Sequence, residues 1–282
     1  MKKACLIITG LFVLLIVISI AFALLRKNVP IGDRLALVTV KGPILDSQET
    51  VDELKEYVKD KSVKAIVLRV DSPGGAVAPS QEIYQEVKKA AAKKKVVVSM
   101  GSVAASGGYY ISVPASRILA NPGTLTGSIG VIMEIPNIEG LMGKIGVKTE
   151  VIKAGKHKDM ASVFRAMGKE ERELLESVLA NVHEQFIAAV AEGRKLKPDD
   201  LRPIADGRIF TGEQAKAHGL VDELGTVEDA VRIAAEMAGI AGEPEVVTKK
   251  DRLSLIGMLR GGFPKELTDM FPTVSIKYQY AP

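Results

Sequence analysis

From Leu35 to Lys153 the chain alternates between short apolar, largely β-branched runs and segments whose apolar residues recur every three to four positions. The first pattern predicts strands and the second helices. "LALVTVKGPI" (Leu35–Ile44), "AIVLRV" (Ala65–Val70), "VVVSM" (Val96–Met100), "RILA" (Arg117–Ala120) and "KTEVIK" (Lys148–Lys153) read as strands. "ETVDELKEYVKD" (Glu49–Asp60) and "PSQEIYQEVKKAAAKK" (Pro79–Lys94) read as helices, the second with proline in its first turn. A short helix is expected over Ser106–Pro114. "VVVSM" is apolar without alternation, as in a strand buried on both faces. Alternation of this kind implies an α/β fold with a mostly parallel sheet and right-handed crossovers.

Beyond Lys169 the pattern turns helical. Leu174, Leu175, Val178, Leu179, Val182, Phe186 and Val190 form one apolar face. A turn-rich stretch, "ADGRIFTGEQAKAHGLVDELGT", leads into a helical "VEDAVRIAAEMAG". His183 beside the apolar face and His218 before Gly219 read as structural residues. The last segment is apolar but broken by glycine and proline, as expected of a docking tail or a partly disordered end.

The N-terminus departs from this alternation. Ala4 to Leu25 carry no charge between "MKK" and "RKN". A helix of that length spans about 33 Å, enough to cross the hydrocarbon core of a bilayer. We read an uncleaved signal anchor, with "AFA" (Ala21–Ala23) as the one cleavage-like signal. The flanking charges leave its orientation open. The expected organisation is therefore a transmembrane anchor at 1–27, a linker at 28–34, the α/β domain at 35–242 and an extension at 243–282.

Composition narrows the chemistry. The net charge of +4 makes no case for nucleic acid, and "KKAAAKKK" (Lys88–Lys95) reads as the solvated end of a helix. Cys5 is the only cysteine, and His157, His183 and His218 are the only histidines. No internal disulfide is expected, nor a metal site, nor a cofactor.

In parallel sheets, functional groups gather at the carboxyl ends of strands. Two glycine-containing loops are expected there, "DSPGGAV" (Asp71–Val77) and "GSVAASGG" (Gly101–Gly108). Neither has a nucleotide-binding spacing. Gly74 and Gly75 would let backbone N–H groups line an anion site. Ser106 opens a helix, with the Gly107 N–H beside it; its sequence is A-x-S-x-G rather than G-x-S-x-G. It reads either as an N-cap or as a nucleophile. A nucleophile needs a base, and His157 and the lysines of "VIKAGKHKDMASVF" (Lys153, Lys156 and Lys158) are candidates that spacing does not separate. A lysine would have to be neutral, with a pKa lowered by about 2–3 units from ~10.4.

"VDSPGGAV", "SMGSVAASGGYYISVPASRILANPGTLTGSIGVI", "IKAGKHKDM" and "IADGRIFTGEQAKAHGLVDELG" together resemble the signal peptide peptidase A family, over about Leu35 to Ala238. The resemblance implies a ClpP/crotonase-like fold and a membrane-anchored serine endopeptidase that degrades remnant signal peptides. It matches Ser106 to the nucleophile, Lys158 to the general base and Ser128 to a serine that orients the lysine amine. It matches the backbone N–H groups of Gly75 and Gly107 to the oxyanion hole. Asp71 stands where a related pattern has Asn, with little effect expected on the dyad. The family's short form implies an octameric ring with the Ser and Lys of each site from neighbouring subunits. It also implies a bacterial cell membrane location with the catalytic domain outside the cytoplasm. Rival readings are a related Ser-Lys peptidase of other membrane proteins, a crotonase-like acyl-CoA enzyme and a non-enzymatic scaffold.

Overall fold

The alternation of side chains along β1 (Arg34–Lys41), β2 (Val63–Ser72) and β4 (Lys95–Ala105) divides the core into two layers. Ala36, Val38, Ile66, Leu68, Val70, Val96, Val98 and Met100 point to one face. Leu35, Ala65, Val67 and Val97 point to the other. Helices α1 (Gln48–Lys59), α2 (Val77–Ala91), α3 (Gly107–Ser112) and the C-terminal half of α5 (Lys169–Arg194) cover the first face. The second face is covered by α8 (Val227–Ala238) through Ala230, Ile233, Ala234 and Ala235. The uninterrupted apolar run in β4 thus reflects burial on both sides.

The computed structural model describes residues 14–16, 18, 32–249 and, through their backbone alone, 276–279. The chain divides into two compact units, Met1–Asp33 and Arg34–Pro282. In the first, Leu14, Leu15, Ile16 and Ile18 are helical; the remainder of the expected anchor lies outside the described residues. Among the described residues no helix is long and apolar enough to cross a membrane.

The main sheet has the order β10–β1–β2–β4–β5–β9, parallel throughout, where β5 is Arg117–Ala120, β9 Glu223–Leu224 and β10 Glu245–Val247. The far end of β4 also pairs in parallel with β6 (Leu125–Gly127), which pairs antiparallel with β8 (Ile209–Thr211). A smaller antiparallel sheet sets β11 (Ile276–Gln279) between β3 (Gly74–Ala76) and β7 (Ile132–Met133). The remaining helices, α4 (Glu139–Lys144), α6 (Pro198–Leu201) and α7 (Gly212–Ala217), are short.

Two expectations require correction. Lys148–Lys153 forms no strand. Its apolar residues Val151 and Ile152 are exposed, Ile152 to 96%, and a β-prone run without a neighbouring edge has no ladder to join. The apolar face of α5 is also only half used. Leu175, Phe186 and Val190 are buried, whereas Leu174 and Val178 near the helix start are exposed.

Candidate active site

Both β2 and β4 run several residues past their apolar stretches, and that extension builds the site. β4 continues to Ala105 and leads at once into α3, leaving Ser106 alone to make the turn. Ser106 adopts φ 53°, ψ −116°, a conformation that for a residue with a Cβ costs about 1–3 kcal/mol. The surroundings hold it there. Its N–H donates to the Gly127 carbonyl at 2.8 Å, continuing the β4–β6 ladder. Gly108 lets α3 press on the end of β2, since a Cβ there would sit 2.6 Å from the Ser72 carbonyl oxygen. Tyr109 is wholly buried and its hydroxyl donates to the Leu220 carbonyl at 2.9 Å. Tyr110 packs against Tyr84 and, edge-on, against Phe186, with ring centroids 4.8 and 5.0 Å apart. Burial pushes the phenols of Tyr84 and Tyr110 up to about 12, so both stay neutral.

The capping reading of Ser106 fails on this geometry. Its side chain makes no cap hydrogen bond, and the residue is 1% exposed. Its Oγ is the one buried side-chain polar atom without a partner among the described residues. Leaving a hydroxyl buried and unpaired costs about 1–3 kcal/mol.

Ser128, Gly75 and Gly107 lie beside it. Ala105 pairs with Gly127, which makes Ser106 and Ser128 neighbours at the ends of two parallel strands. Ser128 is also held at positive φ, 51°, and its N–H donates to the Arg208 carbonyl at 2.8 Å. β2 reaches this end of the sheet through the pairing of Ser72 with Ala104. The Gly74 N–H then donates to Ser72 Oγ at 3.1 Å, turning the chain into β3. Gly75 passes so close to Ile44 that a Cβ would lie 2.6 Å from that residue's nitrogen. Asp71, easily overlooked in the sequence, clamps the two loops together. Its Oδ1 accepts the Val103 N–H at 3.1 Å, and Gly101 leaves room for its carboxyl.

Lys158 is not brought to this group. It is exposed, in the irregular segment between α4 and α5, whereas Ser106 is buried. The same segment and α4 expose Leu141, Ile145, Val147, Val151, Ile152 and Phe164. Its basic residues differ in their commitments. Lys153 is paired with Asp159, and Lys156 Nζ donates to Glu170 Oε1 at 2.7 Å. His157 Nε2 lies 3.7 Å from Glu170 Oε1. Within Lys153–Asp159, Lys158 alone among the basic side chains has no acidic partner among the described residues.

The edge of β3 at Gly75 is paired with the chain's own tail. In β11, Lys277, Tyr278 and Gln279 stand opposite Ala76, Gly75 and Gly74. Ile276 and Lys277 stand opposite Met133 and Ile132. The tail strand also passes alongside α3 and the helix before it, α2.

A parallel α/β sheet that holds a strained serine between two glycine turns is an arrangement suited to hydrolysis by acyl transfer. Residues 88–241 match the model of Peptidase family S49, and residues 38–126 match that of Clp protease. A Synechocystis sp. protein provisionally named a protease is 43% identical over 231 residues, covering 81% of this chain and 83% of its own. Protease 4 of Salmonella typhi is 38% identical over 266 residues, 88% of this chain and 43% of its own. The chloroplastic serine protease SPPA of Arabidopsis thaliana is 35% identical over 208 residues, 71% of this chain and 31% of its own. The chain belongs to peptidase family S49 and is a serine peptidase.

Proposed function

We propose that this chain is a membrane-bound endopeptidase that uses a Ser106–Lys158 dyad to degrade remnant signal peptides. The observation that carries the reading is the Ser106 hydroxyl, held at a strained turn, buried and without a partner. Strain at such a site is retained where function requires it. Ser106 Oγ attacks the peptide carbonyl and passes its proton to neutral Lys158. The carbonyl oxygen gathers charge between the N–H groups of Gly75 and Gly107. On collapse the amine leaves with the proton, and water activated by the same lysine releases the acyl group. In this reading Ser128, beside Ser106, orients the lysine amine.

Lys158 is the preferred base because its amine is not held by a carboxylate, as those of Lys153 and Lys156 are. Its surface position and the apolar residues around it favour a base that serves the Ser106 of a neighbouring copy in an oligomeric ring. The direct test is cleavage of signal-sequence peptides by the parent, Ser106→Ala and Lys158→Ala. Parental rates in both variants would end the dyad reading.

Gly75→Ala is expected to lower kcat about 10²-fold or more, the usual loss for one oxyanion donor. The added Cβ meets backbone rather than a flexible side chain, so β3 must move away from Ile44. Rates within a factor of about three of the parent would remove Gly75 from the oxyanion hole.

The substrate is an extended peptide that joins β3 and β7 as a strand, with affinity from main-chain hydrogen bonds. β11 supports this, since it occupies that position in antiparallel register. A tethered strand competes at about millimolar effective concentration. A chain ending at Lys249 should therefore show a KM several-fold lower with kcat little changed. An unchanged KM would mean that the tail does not compete.

A further inference from the structure

The turn that carries Lys158 is held by a charge cluster that the dyad reading does not use. Both carboxylate oxygens of Asp159, the residue after Lys158, are occupied. Oδ1 is paired with Lys153 and Oδ2 accepts from Arg165 Nε at 3.1 Å. A second guanidinium nitrogen of Arg165 donates to the Asp159 backbone carbonyl at 3.0 Å. The same guanidinium reaches the first turn of α5, donating to Glu171 Oε2 at 2.8 Å and also pairing with Oε1. Glu171 Oε2 in turn accepts the Gly168 N–H at 2.8 Å, and the Ala166 N–H donates to Glu139 Oε2 of α4 at 3.0 Å. One planar side chain thus joins the Lys158 turn to the longest helix among the described residues.

We propose that Arg165 is a positioning residue for Lys158, pinning its turn to α5 and keeping the Asp159 carboxylate from capturing its ammonium group. This rests on the reading of Lys158 as the general base. Only a guanidinium has the rigid fork to bind a carboxylate, a backbone carbonyl and a second carboxylate together. The second effect concerns charge. Arg165 and Lys153 hold the carboxyl of Asp159 down at about 2, and Arg165 and the Gly168 N–H do the same for Glu171. Each carboxylate is therefore fully ionised at neutral pH and already committed. Without Arg165, Asp159 keeps its charge and has a free oxygen one residue from Lys158. An ion pair between them would keep the amine protonated to higher pH. The other charged groups packed about the turn are Lys153, Lys156 and His157 on the turn itself, Lys169, Glu170 and Glu171 on α5, and Glu139 on α4.

The test is the pH dependence of peptide cleavage by the full chain, comparing the parent with Arg165→Gln, Arg165→Lys and Arg165→Gln/Asp159→Asn. Arg165→Gln should lose about 10- to 100-fold in kcat, the scale of a misplaced catalytic group, with KM within about twofold of the parent. Its activity should rise only at higher pH than the parent's. Removing the Asp159 carboxylate as well should return that rise to the parental pH without restoring kcat. Arg165→Lys should keep the parental pH profile, because the charge remains, while recovering only part of kcat, because the fork is lost. Arg232→Gln, which opens an exposed Arg–Glu pair on α8, should behave as the parent. The inference is overturned if the profile of Arg165→Gln coincides with the parent's, whether its activity is kept or lost. It is equally overturned if Arg165→Lys moves the profile as far as Arg165→Gln. Lys158→Ala in the same assay separates this from the dyad reading. Parental cleavage there removes the base itself, whereas an inactive Lys158→Ala beside an unmoved Arg165→Gln profile removes only the role of Arg165.

Discussion

Ser106→Gly should unfold at a higher temperature than the parent and cleave no peptide. Glycine adopts the φ 53°, ψ −116° turn without a Cβ penalty, which relieves about 1–3 kcal/mol of backbone strain. It also removes a buried hydroxyl that has no partner, worth about 1–3 kcal/mol. Against these stands the greater freedom of glycine in the unfolded chain, about 0.5–1 kcal/mol. The balance favours the variant by about 3 kcal/mol, which for a domain of this size raises Tm by several degrees. Ser106→Ala loses the hydroxyl but keeps the strain, so its Tm should fall between the two. Cleavage should drop at least about 10³-fold in both variants, because no other group takes the acyl chain. Calorimetry and peptide assays on the same preparations check the order. If glycine destabilised the fold, the turn would not be strained; if cleavage persisted, Ser106 would not be the nucleophile.

The second large effect is recovery of activity from two inactive chains. Ser106→Ala and Lys158→Ala should each lose about 10³-fold or more alone. A base must come within about 2.6–3.2 Å of the proton it takes, yet Ser106 is buried at the sheet's end and Lys158 is exposed on the segment before α5. When each site draws its serine and lysine from neighbouring copies in a ring, some sites of a mixed assembly inherit both intact residues. Random mixing at equal amounts makes that about one site in four. Co-expressed variants should therefore show about a quarter of the parental activity, and separately assembled, later mixed variants almost none. A co-expressed pair as inactive as its components would place both residues of each dyad in one chain.

Hydrophobic periodicity alone determined the parallel sheet and its two covered faces. An apolar run such as Val96–Met100 has few other ways to bury itself, and α8 followed directly from the spacing in "VEDAVRIAAEMAG". It also brought the glycine loops to the ends of β2 and β4, because those loops simply follow the strands. Local pattern misled at Lys148–Lys153 and in the first turns of α5, where apolar residues lie exposed among the described residues. That the Ser106 side chain caps nothing and has no partner among the described residues was invisible to spacing. Its turn is framed by Gly127 and, through Gly108, Tyr109 and Tyr110, by Ser72, Leu220 and Phe186, residues up to 114 positions away whose convergence no local rule contains. Which lysines are held by carboxylates was equally a tertiary matter. Lys153, Lys156 and Lys158 are alike in sequence, and it is Asp159 and Glu170 that engage the first two and leave the third. Composition and period set which surfaces must be buried, whereas the meeting of chain segments set which polar groups remained unpaired.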